Sequence, residues 1–312
     1  MLAIYLTDES LLYAQLVNYQ GEPFIETTGQ VSLREGIHPS DAGNPELRQY
    51  LSGVISQIRN AAEFPDTNAQ IIVDSTWFPL VFHEVDSILT PRDLDKYLSW
   101  RGQEMLDKAM GQYDLIHQPL GVDEEGSGIP FLTIARAHGL TEWIHKIVAP
   151  SELKIDRIML DLEAGGEVLN MAGELDGDRP VILLENRRDQ FRCRVYRNRE
   201  IAGVFDITAS WDYRLVAERV RGDRKLLMRL IKFLTRSLKE PDHEHPAPGK
   251  ILTFQAGGDK AILKNLLKNE YVNSLDVKHC FKFRDTELEA PETYAIPLGT
   301  LAQEIRERFD AD

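Results

Sequence analysis

The 312-residue sequence predicts an α/β protein built from two halves with the same order of elements. Short apolar segments separated by turn formers indicate strands, and apolar residues three or four apart indicate helices between them. Both halves give the order β-β-β-α-β-α, with Ile4 and Ile182 in equivalent opening strands. The halves are not alike in sequence, so the predicted repeat is one of element order.

The first half begins as a β meander and then alternates helices and strands. Asn44-Pro45-Glu46 is a cap-like helix start, and Thr90-Pro91-Arg92-Asp93 is a second one. The predicted elements are strands at 2–7, 11–18 and 25–33, a helix around 44–58, a strand at 69–73, an extended stretch at 77–85, a helix at 90–106, strands at 113–118 and 131–137, a helix at 141–149 and a strand at 155–160.

A turn-rich segment at 172–180 is the predicted linker between the halves, because it has no hydrophobic period. The predicted elements that follow are strands at 181–185, 190–196 and 201–207, a helical region at 211–239, a loop at 240–249, a strand at 251–254, a helix at 260–269, a strand near 275–277 and a helix at 298–309. We therefore expect a first half at 1–175, with an inserted subdomain around 76–160, and a second half at 181–312.

Composition limits the classes of partner. The formal net charge is −14, so binding through nucleic-acid phosphates is disfavoured. The 43% apolar and 28% charged residues are typical of a soluble globular protein.

Cys193 and Cys280 are too few and too far apart for a disulfide framework. The N-terminus does not resemble a signal peptide, and no apolar run is long enough to span a bilayer.

Two copies of a β-β-β-α-β-α unit constitute the actin-like ATPase fold, and the sequence resembles one branch of it. That branch is the PilM family of type IV pilus assembly, with the cytoplasmic part of the type II secretion protein GspL. The resemblance covers nearly the whole chain and depends on the order and spacing of segments. These segments are Leu2-Ala3-Ile4-Tyr5-Leu6 followed by 11–16, 131–137 continuing into 139–160, the meander at 181–207, 251–258 and Tyr294-Ala295-Ile296-Pro297-Leu298-Gly299-Thr300-Leu301-Ala302.

The resemblance implies two phosphate-binding loops, and the sequence departs from both. The first would read Asp-x-Gly-x-x-x-x-Lys, and these three places fall on Tyr5, Thr7 and Leu12. In such a loop the Asp helps to hold Mg²⁺, the Gly admits backbone N–H groups to the phosphates, and the Lys neutralises them. The second would begin Asp-x-Gly and falls on 183–186, Leu-Leu-Glu-Asn. Only Gly257-Gly258, which resembles the adenosine-side turn, is retained, and a tight strand-to-helix turn needs glycine in any case.

Three other groups of residues resemble metal-binding or catalytic motifs, but less specifically. Asp8 and Asp74, near the ends of the first and fourth strands, resemble the clustered carboxylates with which RNase H-like nucleases bind two metal ions. Asp242-His243-Glu244-His245 could collect Zn²⁺ or Ni²⁺, although the flanking prolines favour a solvated loop. Gly126-Ser127-Gly128 lacks the spacing of a serine nucleophile elbow.

Two basic stretches stand out in the acidic chain. Residues 187–199 contain six arginines against one acid, and 214–239 contain nine basic residues against two acids. In strand 190–196, Arg192 and Arg194 share one face, because side chains alternate along a strand. We expect either a basic patch that steers an acidic partner or anionic lipid, or a solvated face that balances acidic neighbours.

The apolar run 77–82, Trp-Phe-Pro-Leu-Val-Phe, allows two interpretations. It could be an exposed anchor for a partner peptide, since aromatic residues dominate such sites. It could equally be an ordinary strand that enters the core.

The resemblance and its departures together predict a non-catalytic, actin-like pseudo-ATPase without cofactor or metal. Family members bind the short cytosolic tail of a bitopic inner-membrane protein in a groove between subdomains, and the resemblance implies the same class of partner here. An assembly ATPase is a second partner that stays open. The expected location is cytoplasmic, held at the inner membrane by the partner. Two alternatives remain, a divergent actin-like ATPase or phosphotransferase and an RNase H-like nuclease.

Overall fold

The computed structural model describes residues 1–34, 36–37, 39–61, 67–86, 89–106, 113–120, 128–187, 190–209, 215–239, 247–255, 268, 271–284, 288 and 290–309. The strands in these ranges form two large sheets and one small one. The predicted helix at 260–269, the Gly257-Gly258 turn and the Asp242–His245 sequence lie outside the described ranges, apart from residue 268, as do Gly126 and Ser127.

The first sheet has the order β3-β2-β1-β4-β8. Its central strand, β1, pairs antiparallel with β2 and parallel with β4, and all five of its residues are buried. Burial of consecutive residues shows that both faces of the sheet are covered. The strands are β1 (Leu2–Leu6), β2 (Ser10–Tyr19), β3 (Glu22–Ser32), β4 (Asn68–Val73) and β8 (Lys154–Leu160).

The second sheet repeats this order and adds an edge strand, giving β12-β11-β10-β9-β13-β14. The duplicated arrangement predicted from the sequence is therefore confirmed. The strands are β9 (Val181–Asn186), β10 (Gln190–Arg197), β11 (Glu200–Ala209), β12 (Leu215–Gly222), β13 (Lys250–Gln255) and β14 (Val272–Ser274).

Two predictions for the second half were wrong. The helical region expected at 211–239 contains a strand, β12, before its helix, because this segment pairs antiparallel with β11. The short strand expected near 275–277 lies at β14, where it pairs parallel with β13.

The third sheet, in the order β5-β7-β6, forms most of the segment inserted between β4 and β8. Its strands are β5 (Leu80–Asp86), β6 (Tyr113–Pro119) and β7 (Gly128–Ala137). The helix α2 packs on this sheet, where Leu98 joins Val85 and Phe131 in a small separate core.

The described α-helices are α1 (Pro45–Ala61), α2 (Pro91–Met105), α3 (His138–Val148), α4 (Asp161–Met171), α5 (Arg224–Lys239) and α6 (Ala295–Phe309). Thr90 caps α2 as predicted, because its side chain accepts from the backbone N–H of Asp93. Helix α4 was not predicted from the sequence.

Helix α6 packs on the first sheet and on α4, and α4 in turn contacts β10 and β11 of the second sheet. The backbone of α6 approaches α4 so closely that a side chain at Gly299 would overlap the carbonyl of Ala164. A side chain at Gly165 of α4 would likewise overlap the hydroxyl of Tyr196 on β10. One large core runs from the first sheet through both helices to Leu183 of the second sheet. The chain ends of the two predicted halves are therefore packed into one another, and the linker at 172–180 stays a prediction of where the halves divide.

Candidate functional site

The carboxyl ends of three parallel strands meet at the boundary between the two large sheets. Asp74 follows β4 and Asp161 follows β8, and both strands run parallel to β1 or to each other. Open α/β sheets usually bind their ligands beyond this edge. In this chain the edge meets polar side chains from the second sheet. The side chains that meet there, called the crevice network, are Tyr5, Asp74, Asp161, Glu185, Arg187, Arg192, Arg194 and Asp206.

Asp74 binds two arginines from the side of the second sheet. Its Oδ2 accepts a hydrogen bond from Arg187 Nη1, and its Oδ1 accepts one from Arg192 Nη1 at 2.8 Å. The backbone N–H and the hydroxyl of Thr76 also donate to Oδ1, at 2.8 and 2.7 Å. Both oxygens of Asp74 are thus engaged by donors of the chain itself.

Asp161 starts α4 and holds the third arginine. Its Oδ2 accepts from Arg194 Nη2 at 2.5 Å and from the Tyr5 hydroxyl at 3.2 Å, while its Oδ1 accepts from the backbone N–H of Ser75 at 2.8 Å. The Tyr5 hydroxyl in turn accepts from Arg187 Nη2 at 2.5 Å. Tyr5 stands at the place where the family resemblance expects a metal-binding Asp, and here it links an acid to an arginine.

Two acids of the second sheet orient these arginines from behind. Asp206 accepts from Nε and Nη2 of Arg192, which is a bidentate contact. Glu185 Oε2 accepts from Arg194 Nη2 at 2.6 Å and from Arg187 Nη2 at 3.1 Å. Bidentate and shared carboxylate contacts are the strong form of charge-assisted hydrogen bond, and they fix the plane of each guanidinium.

The crevice network sets three guanidinium groups against four carboxylates, and none of these side chains is more than 6% exposed. Burial alone would raise the pKa of Asp74, but Arg187 and Arg192 outweigh it and hold that pKa well below its ordinary value. Arg187 and Arg194 likewise overcome burial to lower the pKa of Glu185. Burial raises the pKa of Tyr5 well above its ordinary value, so the phenol stays neutral.

The turn between β1 and β2 also lacks the form of a phosphate loop. The Thr7 hydroxyl accepts from the backbone N–H of Ser10 at 2.9 Å and from that of Glu9 at 3.2 Å, and it donates to the Ser10 carbonyl. Phosphate loops work because such N–H groups point at the ligand. Here the turn closes on itself through the threonine that replaces the expected glycine.

These residues do not fit a magnesium nucleotide. Mg²⁺ needs carboxylate oxygens that are open to the ion, whereas Asp74 and Asp161 accept from arginines and backbone groups. Within the described ranges no group of three or more His, Cys, Asp or Glu side chains could hold a metal ion. Two buried donors, Arg187 Nε and Arg194 Nη1, have no acceptor in these ranges, and a water molecule would suit them.

A groove of about 490 Å³ opens beside the crevice network, between the small sheet and the second sheet. Phe78, Leu80 and Phe82 line one side, and Val204 lines the other. Arg192 and Asp206 also contribute to its lining, so an apolar groove is bordered by an ion pair.

The two carboxylates that resemble a nuclease pair in the sequence lie near one another in the structure. The carboxylates Asp8 and Asp74 are close enough that the charge of Asp74 helps burial to raise the pKa of Asp8. However, Asp74 is an ion-pair partner of Arg187 and Arg192.

The predicted surface role of the β10 arginines was wrong. Arg192 and Arg194 do share one face of the strand, but both are 0% exposed because that face meets the first sheet and α4. Their partners Asp161 and Asp206 were not singled out from the sequence. A usable signal was the pair of acids that follow β4 and β8, Asp74 and Asp161, because parallel pairing brings the ends of these two strands together.

The run at 77–82 is divided between the core and the lining of the groove. Trp77 and Phe78 are buried and belong to the large core, as an ordinary strand entry would be. Leu80 and Phe82 are half-buried and line the groove.

Comparison with known proteins places the chain by its fold. No protein-family model and no curated protein matches the sequence. The chain is similar to a solved structure of the PilM–PilN type IV pilus biogenesis complex, with a TM-score of 0.63, 12% identity and 97% of both chains covered. A more distant match is the cytoplasmic domain of EpsL, an inner-membrane component of the type II secretion system of Vibrio cholerae, with a TM-score of 0.49, 10% identity and 97% and 94% of the chains covered. The predicted resemblance is thereby confirmed at the level of the fold, and the chain has the actin-like architecture that PilM shares.

Proposed function

We propose that this protein is a non-catalytic actin-like scaffold, a pseudo-ATPase of a type IV pilus or type II secretion-like assembly. The observation that carries the proposal is the crevice network. In an actin-like ATPase, a nucleotide and its metal hold the halves together at this edge. Here Arg187, Arg192 and Arg194 supply the bridging charge from within the chain.

The network has the energetic character of a fixed connection. Four carboxylates and three guanidinium groups are desolvated together, and removal of any one partner would leave an uncompensated buried charge. Separation of the two sheets would expose or unpair Asp74 and Asp161 at the same time. A scaffold that must present one stable surface benefits from this rigidity, whereas a nucleotide-driven motor needs an opening crevice.

The partner proposed is the cytosolic tail of a bitopic inner-membrane protein, and the groove beside the crevice network is its proposed site. An extended tail could place apolar side chains against Phe82 and Leu80, in the groove that Val204 lines from the other side. The PilM structure was solved with PilN, which favours a protein partner of this class. An assembly ATPase is a second partner that we propose for other surfaces.

None of the described helices has the length and apolar character of a membrane span. The proposed location, the cytoplasmic face of the inner membrane, follows from the proposed partner, whose cytosolic tail would hold the protein there.

Isothermal titration with Mg·ATP tests the loss of nucleotide binding. We expect flat traces, because the carboxylates Asp74 and Asp161 already accept hydrogen bonds from arginines and are not open to Mg²⁺. Micromolar binding would overturn the proposal and favour a divergent ATPase or phosphotransferase. Metal-dependent cleavage of nucleic acid that is lost in Asp8→Ala and Asp74→Ala would favour a nuclease instead.

Affinity capture from inner-membrane extracts, followed by titration of the captured protein's synthetic cytosolic tail, tests the groove. We expect Phe82→Ser to weaken tail binding more than about tenfold, since a buried aromatic anchor contributes at least that much. Ile116→Ser on β6 is the matched control, because Ile116 is 37% exposed on another strand of the same sheet. Equal affinities of both variants would exclude this groove, and capture of no bitopic protein would contradict the proposed partner class.

A further inference from the structure

The outer face of α5 carries a one-sided row of positive charge. The helix contains six basic residues and no acid. The members whose side chains are described and exposed, called the α5 stripe, are Arg224, Lys225, Arg229, Lys232 and Arg236. Met228, which is 55% exposed, lies among them.

Helix geometry places the whole α5 stripe on one side. At 3.6 residues per turn, its five cations and Met228 fall within an arc of about 140° and span about 18 Å along the axis. The opposite side is apolar and packs on the second sheet, where Leu227, Leu230 and Leu234 are fully buried. The stripe is thus the part of α5 that the fold does not use.

The α5 stripe has no counter-charge inside the described protein. None of its five cations lies within 4 Å of an acidic side chain in the described ranges, whereas Arg197 nearby is paired with Asp223. Lys225 and Arg229 are four residues apart, as are Lys232 and Arg236, and like charges at this spacing destabilise a helix. Arg224 and Lys225 also occupy the first turn, where the helix dipole disfavours cations. These positions of the cations destabilise α5, which indicates that a negatively charged partner outside the chain compensates them.

The equivalent helix of the first sheet shows that the fold does not require such a stripe. In element order α1 corresponds to α5, but it has Glu46 in its first turn, and its Arg59 pairs with Glu152. The exposed residues in the middle of α1 include Gly53 and Gln57 rather than a row of cations. The shared fold therefore does not require the charge of α5.

We propose that the α5 stripe docks on the anionic lipid headgroups of a membrane surface. Protein hot spots are centred on aromatic anchors in pockets, but the aromatic residue of α5, Phe233, is buried on the opposite side. Long cationic side chains on a convex helix, with one exposed methionine among them, suit a plane of phosphate groups. Because the whole chain carries −14, a group of unpaired cations on one face would orient the molecule toward such a surface. This contact is direct and goes beyond the tail-mediated attachment proposed above.

Co-sedimentation of the full chain with vesicles tests the proposal. The probes are vesicles of phosphatidylcholine alone and vesicles with about one third phosphatidylglycerol, at low and high salt. We expect binding only to the anionic vesicles and loss of binding in high salt, because the attraction is screened. The variant Arg229→Glu/Lys232→Glu/Arg236→Glu should bind more than about tenfold less tightly.

A charge-matched variant separates the α5 stripe from net charge. Arg48→Glu/Lys154→Glu/Lys278→Glu changes three exposed cations on other surfaces by the same total charge. We expect it to bind within about twofold of the original chain. Equal losses in both triple variants would overturn the proposal. Wild-type chain that ignores the anionic vesicles would also overturn it and would point to an acidic protein surface as the occupant. The vesicle experiments contain no partner tail, so neither result tests the proposed scaffold function.

Discussion

Strand β10 and helix α5 are both rich in arginine and lie close in sequence, yet they use their charge in opposite ways. Arg192 and Arg194 of β10 are fully buried and paired with carboxylates on both sides. Arg229 and Arg236 of α5 are exposed and have no ion-pair partner among the described residues. Sequence composition makes the two segments look alike, and only the tertiary position of each decides whether arginine is a structural connection or a free surface charge.

The largest expected difference between the two segments is in stability. Arg192→Met would leave Asp206 buried without its bidentate donor and Asp74 without one of its two arginines, so we expect the free energy of unfolding to fall by about 3–5 kcal/mol. Arg229→Met is the matched change on α5 and should alter it by less than about 0.5 kcal/mol. Urea unfolding of both variants makes the measurement.

Arg192→Lys tests whether the geometry of the Arg192–Asp206 contact matters in addition to its charge. Lysine keeps the charge but cannot reproduce the planar, bidentate contact with Asp206, so its effect should lie between those of wild type and Arg192→Met. Equal, small effects of all three substitutions would show that the crevice network contributes no more than a surface charge does.

The next largest effect is expected from the neutral member of the network. Tyr5→Phe removes the hydroxyl that donates to Asp161 and accepts from Arg187 and Arg194. Leaving those buried donors unsatisfied should lower the free energy of unfolding by about 1–3 kcal/mol. Tyr19→Phe is the control, because Tyr19 is 63% exposed. If both changes prove neutral in urea unfolding, the phenol is not part of the connection.

The difference between β10 and α5 also marks the limit of sequence reasoning. The alternation of Phe191, Cys193 and Val195 with the arginines was predicted, and the apolar side does join the core beneath α5. The residues that pack against the arginine face of β10 were not predictable, because Asp74 is 118 residues from Arg192 and Asp161 is 33 residues from Arg194. Pattern shows which residues share a face, but it does not show what lies against that face.

Two missed elements have similar causes. Gly165-Gly166 lowers the helix propensity of α4, yet a glycine is needed there because Tyr196 occupies the space of a side chain. Strand β12 contains the helix formers Ala217 and Glu218, and pairing with β11 overrides their preference. By contrast, β1 and β4 are apolar strands fixed by local pattern, and their predicted bounds differ from the observed ones by one residue at most.

A pH titration contrasts the crevice network with a second buried ionisable cluster. On the small sheet, burial lowers the pKa of His83, and the nearby His117 and Arg101 lower it further. Burial also lowers the pKa of His117, against the opposing charge of Asp95. Near pH 6.5 the unfolded chain binds protons that the folded chain does not bind. The free energy of unfolding should therefore fall as the pH drops through about 6.5.

The crevice carboxylates respond in a different window. Because the pKa values of Asp74 and Glu185 are lowered in the fold, their contribution is complete above about pH 4 and is lost only below it. His83→Gln/His117→Gln should therefore flatten the slope near pH 6.5 in urea unfolding. A slope that persists in the double variant would place the titrating group elsewhere.

The smallest expected effect is a gain in stability, and it isolates what the α5 stripe is for. Lys232→Glu puts a glutamate four residues before Arg236 and three after Arg229, which replaces two repulsive pairs by attractive ones. The free energy of unfolding should rise by about 0.3–1 kcal/mol, while binding to anionic vesicles falls. Lys232→Gln, which removes the charge without adding attraction, should give roughly half of each effect. If Lys232→Glu instead destabilised the chain, the stripe would have a structural role like that of the β10 arginines, and the contrast between the two segments would not hold.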